Sequence, residues 1–231
     1  MKFATTVISS IEFHGKMSLV IFMSTCLLKC PFCHNGDLNE EDKELSEIFK
    51  IIDNSLDYID AVVISGGEPL NQIDDLEKIL IYCKSFSLNT KLDTSGVYPD
   101  KLKRIIKLVD YIAIDVKAPF KKYEKVIGED IGWDVKESIG IANKSENTYV
   151  ECRTTYVPSL ISHEDIEEIA KTIKADEYTI QQFRNQNVLD KKLENVENPD
   201  VYELQSIAIK VKKYFKVVKI KSAEFGLETV D

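Results

Sequence analysis

The chain has 231 residues, enough to bury a sizeable core, and 44% of them are apolar, as in ordinary soluble globular proteins. With 39 acidic residues against 30 basic ones and a net charge of −9, the composition argues against a duplex nucleic-acid binder and against docking on an anionic membrane, since both want a basic face. No apolar run approaches the ~20 residues that span a bilayer, and the start, MKFATTVISSIEFHGK, lacks the features of a signal peptide, so the expectation is a cytoplasmic protein with a single domain over residues 1–231.

A short apolar strand followed by a helical stretch recurs along the chain. Residues 19–23 read as a strand. Residues 41–55 read as a helix, with Leu45, Ile48, Phe49 and Ile52 at spacings of three and four. A strand over 61–64 leads to a helix over 73–85, where Leu76, Ile79, Leu80 and Cys83 share one face. A strand over 89–92 leads to a helix over 99–107 that has Pro99 in its first turn. Strands at 111–114 and 149–155 follow. Ser162 then caps an acidic first turn for a helix over 164–174. A strand at 178–180, a helix over 200–215 and a strand at 217–220 complete the series, the last expected to close one edge of the sheet. Such alternation implies a parallel sheet with right-handed crossovers. An open, curved six-unit barrel and a flat doubly wound sheet both fit the pattern.

Polar or glycine-rich residues follow every strand: the cysteine loop, Ser65-Gly66-Gly67-Glu68-Pro69, Asp93-Thr94-Ser95-Gly96, Asp115-Val116-Lys117, Arg153, and Gln181-Gln182. In parallel α/β folds these carboxyl ends gather at the face where ligands bind. Asp115 and Lys117, two apart on a strand, share a side and lie within reach of each other or of a ligand.

Three of the five cysteines, Cys26, Cys30 and Cys33, lie within eight residues as CX3CX2C. Structural zinc wants four closed ligands, and the only near fourth, His34, adjoins Cys33. Cys30-Pro-Phe-Cys33-His34 also matches a covalent haem-attachment pattern, and Cys30/Cys33 a dithiol pair. Three thiolates on a four-iron cluster would leave one iron open to substrate. Cys83, on a helical apolar face, and Cys152, out of phase with Arg153, read as core. His14 and His163 read as surface or capping residues.

The CX3CX2C loop after the first apolar strand, with the aromatic Phe32 before its last cysteine, and the following Ser-Gly-Gly-Glu-Pro resemble the radical S-adenosylmethionine superfamily. The stretches IEFHGKMSLVIFMSTCLLKCPFCHNGDL, ISGGEPL, LDTSG, VDYIAIDVKAP, ECRTTYVP and YTIQQFR are similar to the activases of glycyl-radical enzymes, in particular the archaeal-type activating proteins of anaerobic ribonucleoside-triphosphate reductase. One departure is Ser24-Thr25, where such activases often have Gln-Gly.

The resemblance implies an α/β fold, the open partial (β/α)6 barrel. It implies one [4Fe–4S] cluster on Cys26, Cys30 and Cys33, and S-adenosylmethionine bound at that cluster. Glu68 with the backbone of Ser65, Gly66 and Gly67 is expected to grip its methionine end. Asp93, Ser95, Lys117, Arg153 and Gln182 are expected around it, with Phe32 and Asn35 flanking the adenine. The implied reaction is reductive cleavage to a 5′-deoxyadenosyl radical, fed by an external one-electron donor. The radical would then take hydrogen from a glycine on a partner glycyl-radical enzyme, an anaerobic ribonucleotide reductase. Two alternatives stand beside it: a small-molecule enzyme of the same superfamily acting in modified-purine or cofactor synthesis, and a non-catalytic iron–sulfur electron carrier.

Overall fold

The computed structural model describes residues 1–34 and 41–230. Ten strands form one sheet: β1 (Lys2–Ser9), β2 (Ser18–Met23), β3 (Glu41–Asp42), β4 (Ala61–Gly66), β5 (Asn89–Thr94), β6 (Tyr111–Asp115), β7 (Tyr149–Tyr156), β8 (Glu177–Gln182), β9 (Val217–Ser222) and β10 (Gly226–Thr229). Their order is β10-β9-β8-β7-β6-β5-β4-β2-β1-β3. The stretch from β2 through β9 is parallel throughout, while β1, β3 and β10 run antiparallel at the two margins. The margins do not meet, so the sheet is an open partial barrel.

The helices are α1 (Leu45–Asp53), α2 (Ile73–Ser85), α3 (Pro99–Ile105), α4 (Tyr123–Ile127), α5 (Gly132–Ala142), α6 (His163–Thr172) and α7 (Val201–Val211). Alternation within the strands separates two environments. Ile21, Ile64, Leu92, Ile112, Cys152 and Ile180 point outward and pack in one core with helix residues such as Ile48, Leu76, Leu80, Ile139, Ile166 and Leu204. The inner face carries a small cluster of Val20, Ala61, Val63, Tyr111 and Ala113, on which Phe13 from the β1–β2 loop rests. Elsewhere on the inner face, β5 to β9 are polar.

Several expectations need correction. The helix expected over 41–55 begins at Leu45. Glu41–Asp42 pairs with β1 instead, and the Glu47 carboxylate accepts from the Glu44 N–H at 2.9 Å to fix the helix start. The strand at 217–220 is not an edge, because Gly226 (φ +73) turns the chain back into β10. The helix expected over 200–215 ends at Val211, with a 3-10 turn at Lys212–Tyr214. The antiparallel β1 and the helices α4 and α5 lie outside the expected series. Ser162 does cap α6: its hydroxyl accepts from Asp165 N–H at 3.2 Å, and the Asp165 carboxylate accepts from Ser162 N–H at 3.1 Å.

Candidate active site

The loop after β2 carries the three cysteines, and Ser65-Gly66-Gly67 at the end of β4 holds it in place. Gly67 N–H donates to Met23 O at 2.6 Å, and Glu68 N–H to Thr25 O at 2.8 Å. The two glycines are required by this crossing. A Cβ on Gly66, whose φ is +103, would lie 2.3 Å from Met23 O, and one on Gly67 would lie 2.3 Å from Thr25 O. A side chain at either position would push the cysteine loop away. The far end of the loop is turned by Cys33 N–H onto Cys30 O at 3.0 Å and latched by Asp190 N–H onto Pro31 O at 2.8 Å.

The three thiols line one cavity of about 400 Å³ at the carboxyl ends of the strands. Phe32, Ser65, Gly66, Gly67, Asp93, Ser95, Lys117 and Arg153 line it too, so most of the expected site residues converge there. Cys30 is buried, Cys33 half-buried and Cys26 exposed as a residue. Burial nevertheless pushes the Cys26 thiol up to about 11, with the charges of Glu68, Cys30 and Cys33 adding to the rise. Burial also raises Cys30, against the nearby charge of Lys117. A soft metal would displace these protons on binding. Among the described residues no group of three or more His, Cys, Asp or Glu side chains is placed to hold a metal ion. The donor set, three soft thiols lining one cavity, is that of an iron–sulfur centre.

The same cavity is lined by a row of charges, buried at Asp93 and half-buried at Asp115, Lys117 and Arg153. Arg153 Nε donates to Asp115 Oδ1 at 2.9 Å, and its Nη1 lies 3.3 Å from Asp93 Oδ2. Lys117 Nζ donates to Asp115 Oδ2 at 3.1 Å. Burial alone would raise the Asp115 pKa, but the charges of Arg153 and Lys117 outweigh it and bring it to about 2. Burial works likewise against the Lys117 ammonium, and Asp115 reverses the sign, holding it above the usual lysine range. Asp93 Oδ2 also accepts from Ser65 Oγ at 3.0 Å. Its Oδ1 is buried in the cavity wall without a hydrogen-bond partner. An orphaned carboxylate oxygen is costly unless a ligand donor meets it. The thiol trio, the paired cations and this acceptor fit an iron–sulfur cluster with a small, charged, hydroxyl- and amine-bearing ligand.

Two expected residues lie elsewhere. Glu68 is buried behind the wall. Its carboxylate accepts from Leu70 N–H at 3.0 Å, Thr94 Oγ1 at 2.8 Å, Ser95 N–H at 2.8 Å and the Ser95 hydroxyl. It shapes the end of β5 and does not line the cavity. Gln182 lies in a neighbouring hollow, where its side-chain oxygen accepts from Ala223 N–H at 2.7 Å and its nitrogen donates to Pro199 O at 2.9 Å. Asn35 lies outside the described residues. Asp115, Thr155, Gln181, His34 and Lys221 also line the cavity. The register of β7 and β8 pairs Arg153 with Thr179 and Thr155 with Gln181, so the alternation that puts Arg153 in the cavity also selects Gln181 over Gln182.

Comparison with known proteins agrees with this geometry. The family model of the radical SAM superfamily matches residues 20–176. A protein of Methanocaldococcus jannaschii, provisionally named a glycyl-radical enzyme activating enzyme, is 40% identical over 225 residues and covers 93% of both chains. The pyruvate formate-lyase-activating enzyme of Listeria monocytogenes is 32% identical over 113 residues, 42% of this chain and 46% of that one. Among solved structures, Streptococcus suis SuiB bound to S-adenosylmethionine superposes with a TM-score of 0.69 at 18% identity, over 83% of this chain and 45% of that chain. This last likeness concerns the fold alone.

Proposed function

This chain belongs to the radical SAM superfamily, and we propose that it is a glycyl-radical enzyme activase whose partner is an anaerobic ribonucleotide reductase, working in the cytoplasm with an external one-electron donor. The family's cofactors are a [4Fe–4S] cluster and S-adenosylmethionine. In this reading Cys26, Cys30 and Cys33 hold the cluster. When bound, the pair of cofactors supplies a low-potential electron and a 5′-deoxyadenosyl group able to take a hydrogen atom.

The protein's own part is positioning and shielding. Lys117 and Arg153 offer charge-assisted donors for a carboxylate, and Asp93 offers the acceptor for a hydroxyl or ammonium. Ser65, Gly66 and Gly67 would present main chain to the ligand, and Phe32, next to Cys33, would lie against the adenine. Glu68 holds Ser95 in place through Ser95 N–H and its hydroxyl.

The observation that carries the activase reading is what lies beneath the cavity. The barrel interior is filled by ion pairs and by the β1–β2 loop, leaving a hollow of only about 30 Å³. The cavity above, about 400 Å³, is of the size one small ligand takes up. Beside the cavity a second hollow of about 440 Å³ shares Phe32, His34, Thr155, Gln181 and Lys221 with it. With the floor filled, the hydrogen donor approaches from above or from that side, and a partner's loop can bring it in while excluding water. Similarity to the M. jannaschii protein over nearly its whole length supports the same reading.

The test is anaerobic mixing of reconstituted protein, reductant, S-adenosylmethionine and the cognate reductase. A glycyl doublet on the reductase by electron paramagnetic resonance is expected. A doublet on another glycyl-radical enzyme alone would keep the activase and change the partner. No doublet on any, with strong stimulation by a metabolite, would replace the reading with a small-molecule enzyme.

A further inference from the structure

Below Asp93 on β5 stands a second charged side chain that the proposed reaction does not use. Lys91 is two residues earlier on the same inner face and only 6% exposed. Its Nζ lies between two carboxylates, 3.8 Å from Asp93 Oδ1 and 3.9 Å from Glu151 Oε2. Both distances are those of ion pairs and too long for hydrogen bonds. The hydrogen bond it does make goes to the carbonyl of Glu12, in the β1–β2 loop, at 2.7 Å. The face of Tyr111 lies 4.6 Å from the same ammonium.

Burying an ammonium is expensive unless its charge is needed. Glu151 has other support, since Tyr111 donates to it at 3.0 Å and Thr179 at 2.7 Å. Asp93 has less. Its Oδ2 is held by Ser65 and Arg153, and its Oδ1 has no donor. A hydrogen bond from Lys91 would take one of the two acceptor sites of Oδ1. The bond to the Glu12 carbonyl goes with an ammonium held 3.8 Å from that oxygen instead.

We propose that Lys91 is a positioning residue for the bound cofactor: anchored on the Glu12 carbonyl, it keeps Asp93 charged and in place while leaving Oδ1 open to a donor on S-adenosylmethionine. The charges of Arg153 and Lys91 outweigh burial and the nearby Asp115 in holding the Asp93 pKa down, which agrees with this role. The β1–β2 loop thereby becomes part of the site without touching the ligand. The inference rests on the reading above that S-adenosylmethionine occupies the cavity.

The experiment is equilibrium dialysis of S-adenosylmethionine against anaerobically reconstituted, unreduced protein, so that binding is read without turnover. Thermal melts accompany each variant. Lys91→Met and Lys91→Gln should each weaken binding about tenfold, and Asp93→Asn by at least as much. Lys91→Arg should restore binding to within about threefold, because it returns the charge. The double variant Lys91→Met/Asp93→Asn should bind no worse than Asp93→Asn alone, the signature of one residue acting through another. Additive losses, or wild-type affinity in both neutral Lys91 variants, would overturn the proposal and leave the cavity reading intact. Wild-type affinity in Asp93→Asn would also overturn it. Wild-type protein that binds no S-adenosylmethionine would instead remove the reading on which it rests. If Lys91→Met does not fold, Lys91→Gln and Lys91→Arg carry the comparison.

Discussion

The inner face of the barrel has an upper and a lower half, built from the same alternation on the same strands and left in opposite states. In the lower half the charges are paired with one another: Lys219 lies 2.7 Å from Glu177, and Tyr111 and Thr179 donate to Glu151. Burial, with the charge of Glu151, pushes the Tyr111 phenol far up, so it stays a donor. In the upper half Arg153, Asp115 and Lys117 are paired as well, but Asp93 Oδ1 is buried with no hydrogen bond, its ion-pair partner Lys91 standing 3.8 Å away, and three thiols line the same cavity. A self-satisfied network rigidifies a floor, whereas an incomplete one above it calls for a ligand. Substitutions in the two halves should therefore separate stability from binding.

The largest effect belongs to the thiols. Reconstituted wild type should form a brown chromophore with about four irons and four sulfides per chain, and replacing Cys26, Cys30 or Cys33 by Ala should abolish it. Cys83→Ala and Cys152→Ala, both in the outer core, should keep it. Iron analysis after reconstitution decides this, and tight stoichiometric zinc without colour would contradict it. Next come the glycines that hold the loop. Gly66→Ala or Gly67→Ala sets a Cβ 2.3 Å from a carbonyl oxygen and should cost roughly 3 kcal/mol of stability. A melt unchanged from wild type would show that the loop yields freely.

The sharpest contrast pairs a lower-half cation with an upper-half one. Lys219→Met strands the buried Glu177 and should cost about 3–5 kcal/mol in unfolding, with little change in affinity for S-adenosylmethionine. Lys117→Ala should instead weaken that affinity by about 1–3 kcal/mol. Dialysis and denaturant titration on both variants would expose any mixing of the two roles.

This division was only partly legible in the sequence. The cysteine trio, the Ser-Gly-Gly turn and the strand-end residues Asp93, Asp115, Lys117 and Arg153 are local signals, because a parallel sheet delivers every strand end to one face. The inward role of Glu68 was not, since its partners Thr94 and Ser95 lie at and just past the end of β5. Gln181 and Gln182 are adjacent in the same polar stretch, and only the register with Arg153 separates them. In α5 the buried Val135, Ile139 and Ala142 do follow helical spacing, but Gly140 and the polar residues between them dilute the pattern. The alternating Lys2–Ser9 has the β-branched composition of a strand, though nothing local fixes its antiparallel pairing. The Glu12 carbonyl on Lys91 is a backbone contact between residues 79 apart, beyond any pattern in side chains.

The smallest effect is acid sensitivity. Asp115 titrates at about 2 in the fold, against about 3.9 in an unfolded chain. A carboxyl depressed in this way stabilises the fold above the unfolded value, and the contribution fades as pH falls from about 4 through 2. Asp115→Asn should therefore lose roughly 2 kcal/mol of the stability difference between pH 7 and pH 2. An undiminished difference, measured by urea titration at several pH values, would show that the Arg153–Asp115–Lys117 row does not govern it.

The central claim is that the hydrogen donor arrives over the filled floor, on a partner protein. It is tested most directly by growing the partner reductase on glycine deuterated at its α-carbon and weighing the 5′-deoxyadenosine formed with this protein. The account predicts one deuterium in the nucleoside, appearing together with a glycyl radical on the partner. Unlabelled 5′-deoxyadenosine, made at the same rate with and without the partner, would contradict it.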